Sequence, residues 1–118
     1  MAKRRDAESL LPLTPGMFQV LIALADGDKH GYAIIKEVDR RTGGEIALSA
    51  GTLYTIIRRF EQEGVIAESA VRPEAALDDE RRRYYRLSER GRKVAVAEAR
   101  RLEETVAQAK HKLKISRA

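Results

Sequence analysis

Three short stretches ahead of residue 65 repeat apolar side chains at intervals of three and four, and each is closed by helix-stopping residues. That spacing lays one apolar stripe along a helix. The first stretch follows Thr14-Pro15, a capping hydroxyl with proline at the first helical position. It carries Met17, Val20, Leu21 and Leu24 on one face and ends at Asp26-Gly27-Asp28. The second runs from Gly31 to about Arg41 with Ile34, Ile35 and Val38 inward. Gly43-Gly44 stops it, since glycine accepts the left-handed conformation after a helix. Ser49 caps the third, whose stripe is Leu53, Ile56, Ile57 and Phe60; it extends to Glu63 and halts at Gly64. Three short helices in this order match the core of a helix-turn-helix unit.

The pattern then changes. Residues 65–71 are β-prone, 72–80 hold Pro73 and several acids, and 81–87 alternate loosely around Tyr84, Tyr85 and Leu87. Strand, loop and strand after three helices read as a β-hairpin, a wing. Ile46 to Leu48 is a candidate for one further short strand. Ser88 caps a last element that continues without proline to about Lys114. Along it Ala95, Ala99, Leu102, Val106, Ala109 and Leu113 alternate in fours and threes, an a/d seam of about two and a half heptads. At ~1.5 Å per residue, Arg90 to Leu113 is roughly 36 Å long, so much of it should overhang a small domain. An overhanging apolar stripe needs a partner, and a second copy of the chain is the simplest. Leu10 and Leu11, interrupted from Leu13 by Pro12, are placed to dock beside that seam.

The 118 residues amount to one domain, and the absence of cysteine removes disulfides, thiolate chemistry and Cys-based zinc sites together. His30 and His111 are the two histidines, far apart, so no metal or other cofactor is expected. His30 stands at a helix start, where a lone histidine is usually a cap. No nucleophile or paired carboxylate neighbours it, and the chain has none of the ingredients of an enzyme. No apolar run approaches the ~18 residues of a membrane span, and the basic N-terminus lacks a secretory apolar stretch, so the default address is cytoplasmic. A net charge of +5 favours a polyanionic partner without dictating a fold.

The third helix is where that charge becomes chemically useful. With Leu53 and Phe60 inward, a 100° step per residue turns Gly51, Thr55 and Arg58 outward, flanked by Thr52 and Arg59 on one side and Tyr54 on the other. Small residues let a helix backbone enter the major groove of double-stranded DNA, and arginine then reaches guanine or phosphate. The plainer alternative is that Arg58 and Arg59 are solvated surface residues. In the wing, Arg81, Arg82 and Arg83 could lie on phosphates or in the minor groove, while Tyr84 and Tyr85 read as structural; Asp78, Asp79 and Glu80 just before them would screen the tip. Ser49 completes this candidate DNA-binding set. The expected fold is therefore mainly α with a small β-hairpin: a winged helix-turn-helix at 14–87, an N-terminal arm at 1–13, and a C-terminal dimerisation helix with a short tail at 88–118. A protein-interaction module on the same scaffold is the competing reading, since fold does not dictate function.

Three separated strings carry a more specific likeness: His30-Gly31-Tyr32-Ala33-Ile34-Ile35, Ser49-Ala50-Gly51-Thr52-Leu53-Tyr54, and Arg83-Tyr84-Tyr85-Arg86-Leu87-Ser88-Glu89-Arg90-Gly91. In this order and spacing they closely resemble the PadR family of bacterial transcription regulators, in its short-tailed branch with one helix after the wing. The resemblance implies a homodimeric winged-helix repressor on a palindromic operator, with a small-molecule effector among its partners. It also implies that Tyr54 approaches the phosphates. Thr55 departs from the family, which commonly follows that tyrosine with proline. With no tryptophan here, the drug-binding mode of some short-tailed members does not carry over.

Overall fold

The computed structural model describes residues 8–69 and 83–115. Over them the elements run α1 (Pro15–Leu24), β1 (Lys29–His30), α2 (Gly31–Arg41), α3 (Ala50–Gln62), β2 (Ile66–Glu68), β3 (Tyr84–Leu87) and α4 (Glu89–Leu113).

The helix boundaries follow from groups that a helix leaves unpaired at its ends. At each N-terminus a side chain accepts a free backbone N–H. Thr14 Oγ1 takes that of Met17 at 3.2 Å, His30 Nδ1 that of Ala33 at 3.2 Å, Ser49 Oγ that of Thr52 at 3.1 Å and Ser88 Oγ that of Gly91 at 2.9 Å. At the end of α3, Gly64 turns left-handed at φ 75°. The Val65 N–H then donates to Phe60 O at 2.8 Å and the Gly64 N–H to Glu61 O at 3.1 Å, the paired bonds of a glycine C-cap.

One core holds these elements together. Val20, Leu21 and Leu24 of α1 meet Ile34 and Val38 of α2, Leu53, Ile57 and Phe60 of α3, and Val94 of α4. Val65, Ile66 and Tyr85 close it from the sheet side, with Met17, Ile35 and Ile56 half-buried at its margin. Each large apolar side chain so buried is worth ~1.5–3 kcal/mol.

The sheet has three antiparallel strands in the order β1-β3-β2. Lys29 and His30 pair with Tyr85 and Tyr84, while Ile66, Ala67 and Glu68 pair with Leu87, Arg86 and Tyr85. The strand expected at Ile46 to Leu48 does not form. That segment pairs with none of the three strands. It is instead an extended link in which the Ile46 N–H donates to Thr42 Oγ1 at 3.1 Å, and Ile46 and Leu48 pack on the core. Tyr84 and Tyr85 are consecutive yet both buried: Tyr85 enters the core, and Tyr84 meets the His30 ring edge-on at 5.3 Å. The loop expected at 72–80, the arm at 1–7 and the tail at 116–118 lie outside the described residues.

The start of α4 is locked to the end of α3. The Ser88 N–H donates to Val65 O at 3.0 Å, and Arg90 Nε donates to Glu63 O at 2.7 Å. Gly91 sits so close that a Cβ there would overlap the Val65 carbonyl oxygen and stand 2.8 Å from Leu87 Cδ1. One turn past Val94, Glu98 is 1% exposed. Its Oε2 accepts the Leu13 N–H at 2.9 Å, and Arg101 Nε donates to its Oε1 at 2.5 Å. The bond from Arg101, helped by the Leu13 amide, holds the Glu98 carboxyl below its ordinary range despite burial. This carboxylate ties the segment entering α1 to α4.

Beyond Glu98 the helix leaves the body. Leu102, Val106 and Leu113 are 37%, 51% and 70% exposed. The radius of gyration, 16.1 Å, exceeds the ~13.5 Å of a compact domain of this length, as a projecting helix requires.

Candidate nucleic-acid interface

The inward stripe of α3 dictates what the opposite side offers. With Leu53, Ile57 and Phe60 at 0%, 2% and 1% exposure, Gly51, Thr52, Thr55, Arg58 and Arg59 all fall on solvent-exposed positions, and Ser49 is exposed at the cap. Small side chains occupy the first turn and cations the third. Two hydroxyls at the N-terminal end are already committed. Ser49 Oγ accepts from the Thr52 amide while donating to Thr52 Oγ1 at 3.0 Å. Thr55 Oγ1 donates to Gly51 O at 3.0 Å, so its methyl and an acceptor lone pair are what it can show a ligand. The helix runs unbroken through Thr55; a threonine retains the amide that proline would remove.

Tyr54 leaves the flank of α3 and lies over the start of α2. It is 42% exposed, and its hydroxyl comes so near Gly31 that a Cβ on that residue would stand 2.5 Å away. Gly31 is therefore what leaves room for the phenol at the start of α2. His30 just before it caps α2 through Nδ1 and meets Tyr84 edge-on, a structural use of a residue that could be mistaken for a catalytic base.

Arg58 and Arg59 form no ion pair with a carboxylate among the described residues, in contrast to Arg41, which is held by Glu37 and by Gln19 Oε1 at 3.3 Å. Glu37 in turn faces Lys29 Nζ at 3.5 Å, and Lys29 binds Asp26 at 2.6 Å and Ala23 O at 2.7 Å. That cluster sits between α1, β1 and α2, and its cations are spent on the fold. In the wing, Arg83 and Arg86 are exposed beside the buried tyrosines; burial raises the Tyr85 pKa above its ordinary value. Arg81 and Arg82 lie outside the described residues.

The residues expected at a dimer seam divide. Leu10, Leu11 and Ala95 are half-buried against the chain's own core. Ala99, Leu102, Val106 and Leu113 are exposed, and Ala109 is half-buried farther along α4. Gly31, whose hydrogen side chain admits Tyr54, and Tyr32 and Lys36 on the outer side of α2 are not among the site residues expected from the sequence. Their i, i+4 spacing opposite Ile34 and Val38 was the available clue. Among the described residues no group of acidic, histidine or cysteine side chains could hold a metal ion, and no helix is long and apolar enough to cross a membrane.

Comparison with known proteins gives this surface a context. A family model described as the transcriptional regulator PadR-like family matches residues 20–97. An uncharacterised protein of Lysinibacillus sphaericus is 30% identical over 73 residues, which is 62% of this chain; the chain spans 64% of that relative's length. Among solved structures, a transcriptional regulator from Clostridium thermocellum is 26% identical, with a TM-score of 0.62 over 86% of this chain and 90% of that one. A PadR family transcription regulator from Clostridium difficile, 22% identical, superposes with a TM-score of 0.69 over 85% of this chain and 99% of its own, a likeness of fold.

Proposed function

Because the chain belongs to the PadR-like family of transcriptional regulators, we propose that it is a repressor that binds double-stranded DNA as a homodimer on a palindromic operator. The observation that carries this reading is the outward side of α3, which is small at its first turn, cationic at its third and unobstructed by the described residues. In the bound state the first turn enters the major groove with Gly51 and Thr52 nearest the base edges. Arg58 is the residue with the reach and the planar donor fork to engage guanine O6 and N7. Arg59 and the Tyr54 hydroxyl, on the flanks, take phosphates, which orient the protein without reading sequence. Arg81, Arg82 and Arg83 extend the phosphate contacts from the wing.

The reading assigns residues 14–87 to DNA binding and 88–118 to pairing. Ala99, Leu102, Val106 and Leu113 leave an apolar stripe on α4 that water solvates poorly, and a second copy supplies a matching one. Two-fold pairing sets two α3 helices on one face of the duplex, so half-sites should be separated by about one helical turn, ~34 Å, or a multiple of it.

Replacing Arg58 by alanine tests the reading at its centre. Loss of a bidentate base contact costs ~1–3 kcal/mol of discrimination, roughly five- to 150-fold, at one base position. Anisotropy titrations against the preferred duplex and single-base variants should show relaxed specificity there. Equal affinity and specificity in the mutant would remove Arg58 from the reading surface.

A further inference from the structure

On α2, Gly31, Ile34, Ile35 and Val38 face α3 and the core, while Glu37 and Arg41 turn toward Gln19 and Lys29 of α1 and β1. The remaining flank carries Tyr32, 60% exposed, and Lys36, whose ammonium lies 5.4 Å from the centre of the Tyr32 ring. An aromatic ring left largely in water beside a cation has no role in the core. It does restrict a flexible lysine, since cation–π attraction favours positions over the ring face.

The Tyr32 end of this flank is one residue away from the contact between α2 and α3. Tyr32 follows Gly31, the residue against which the Tyr54 phenol lies, so the chain passes directly from the flank of α3 to this face of α2. The nearest acid on the same flank, Asp39, stands near the other end of α2, with its carboxylate toward Gly44 in the α2–α3 link. Glu37, next to Lys36 in the chain, is occupied by Lys29 and Arg41.

We infer that Tyr32 and Lys36 form a phosphate clamp on the DNA strand bordering the groove that α3 enters. The inference rests on the DNA-binding reading above and adds two residues outside α3 and the wing. The lysine supplies a point charge and the phenol hydroxyl donates to a phosphate oxygen. Neither touches a base, so the clamp sets the angle at which α3 enters and adds affinity to every sequence alike. In a helix-turn-helix unit the helix before the reading helix crosses the backbone, which is where this flank would lie.

The test is the salt dependence of binding by the full chain to its preferred duplex and to a random duplex of equal length. Each phosphate neutralised contributes about 0.9 to the slope of log K against log salt. Lys36→Ala removes one such contact from each protomer of the pair, so it should lower that slope by about 1.8 on both duplexes and weaken binding roughly 60-fold at ~0.1 M salt. Tyr32→Phe should weaken both duplexes equally without altering the slope, because it removes a hydrogen bond and no charge. Lys93→Ala, an exposed charge on α4, should leave slope and affinity unchanged. The proposal is overturned if Lys36→Ala keeps the wild-type slope, if the loss is confined to the preferred duplex, or if Lys93→Ala lowers the slope equally. Wild-type protein that retards neither duplex at low salt would instead overturn the DNA-binding reading itself.

Discussion

Gly31→Ala separates function from stability. An added Cβ would stand 2.5 Å from the Tyr54 hydroxyl oxygen, 3.0 Å from its Cζ and 3.3 Å from Leu53 Cδ2. Leu53 is fully buried and has little room to yield, whereas Tyr54 is 42% exposed and can swing outward. The phenol must retreat by about 1 Å to regain an ordinary separation of ~3.5 Å. The backbone of Gly31 has no positive φ, so alanine adds no backbone strain there, and with the clash relieved by the part-exposed phenol the melting temperature should move little. Binding should respond differently. A hydrogen bond to a charged acceptor is worth ~1.5–3 kcal/mol, so displacing the phenol from a phosphate weakens binding by roughly ten- to 150-fold for each half-site, compounded over the two protomers of the pair. Tyr54→Phe, which deletes the hydroxyl and keeps the ring, should give a loss of the same order. The assay is fluorescence anisotropy at fixed salt, paired with thermal melts of both variants. Wild-type affinity in Gly31→Ala would refute the placement of Tyr54 at the DNA surface.

Three other variants probe the scaffold. Gly91→Ala forces a methyl group into the Val65 carbonyl, where backbone on both sides prevents relief; overpacking of this kind costs ~1–3 kcal/mol or more, visible as a lower urea midpoint, and an unchanged midpoint would contradict the close approach of α4 to the α3–β2 turn. Glu98 has a depressed folded pKa, so its contribution to stability is present above the unfolded glutamate value of ~4.3 and is lost as pH falls through the lower folded value. The melting-temperature gap between wild type and Glu98→Gln should therefore be largest above about pH 5 and close in acid; a gap independent of pH would remove the charge from the account. Leu102→Lys places a cation on the exposed stripe of α4, and sedimentation should show a shift toward monomer with helical content intact; an undisturbed dimer would move the interface elsewhere.

Much of the helical framework was legible because its stops and starts are local. Thr14, Ser49 and Ser88 mark their helices by a hydroxyl three residues ahead of a free amide, and Gly43 and Gly64 mark ends by a backbone conformation other residues avoid. The exposed side of α3 followed from its buried stripe for the same reason. What escaped the sequence depends on distant parts of the chain. Lys29–His30 is a strand only because Tyr84 and Tyr85 present a free ladder to it, and nothing in two polar residues announces that. Ile46 to Leu48 looked more strand-like and has no partner. Glu98 sits buried because an amide 85 residues away and an arginine one turn on satisfy it; the Glu98–Arg101 spacing hinted at the second but not at the first. The contact of Tyr54 with Gly31 likewise joins two motifs that sequence spacing alone could not bring together.

The central claim is that two α3 surfaces read a duplex together. Selecting bound molecules from a random duplex library with the wild-type chain tests it most directly. The account predicts an enriched inverted repeat whose half-sites are centred about 10 base pairs, or a whole multiple of that, apart. A library that emerges unenriched at low salt, or one enriched for a single site without two-fold symmetry, would contradict it.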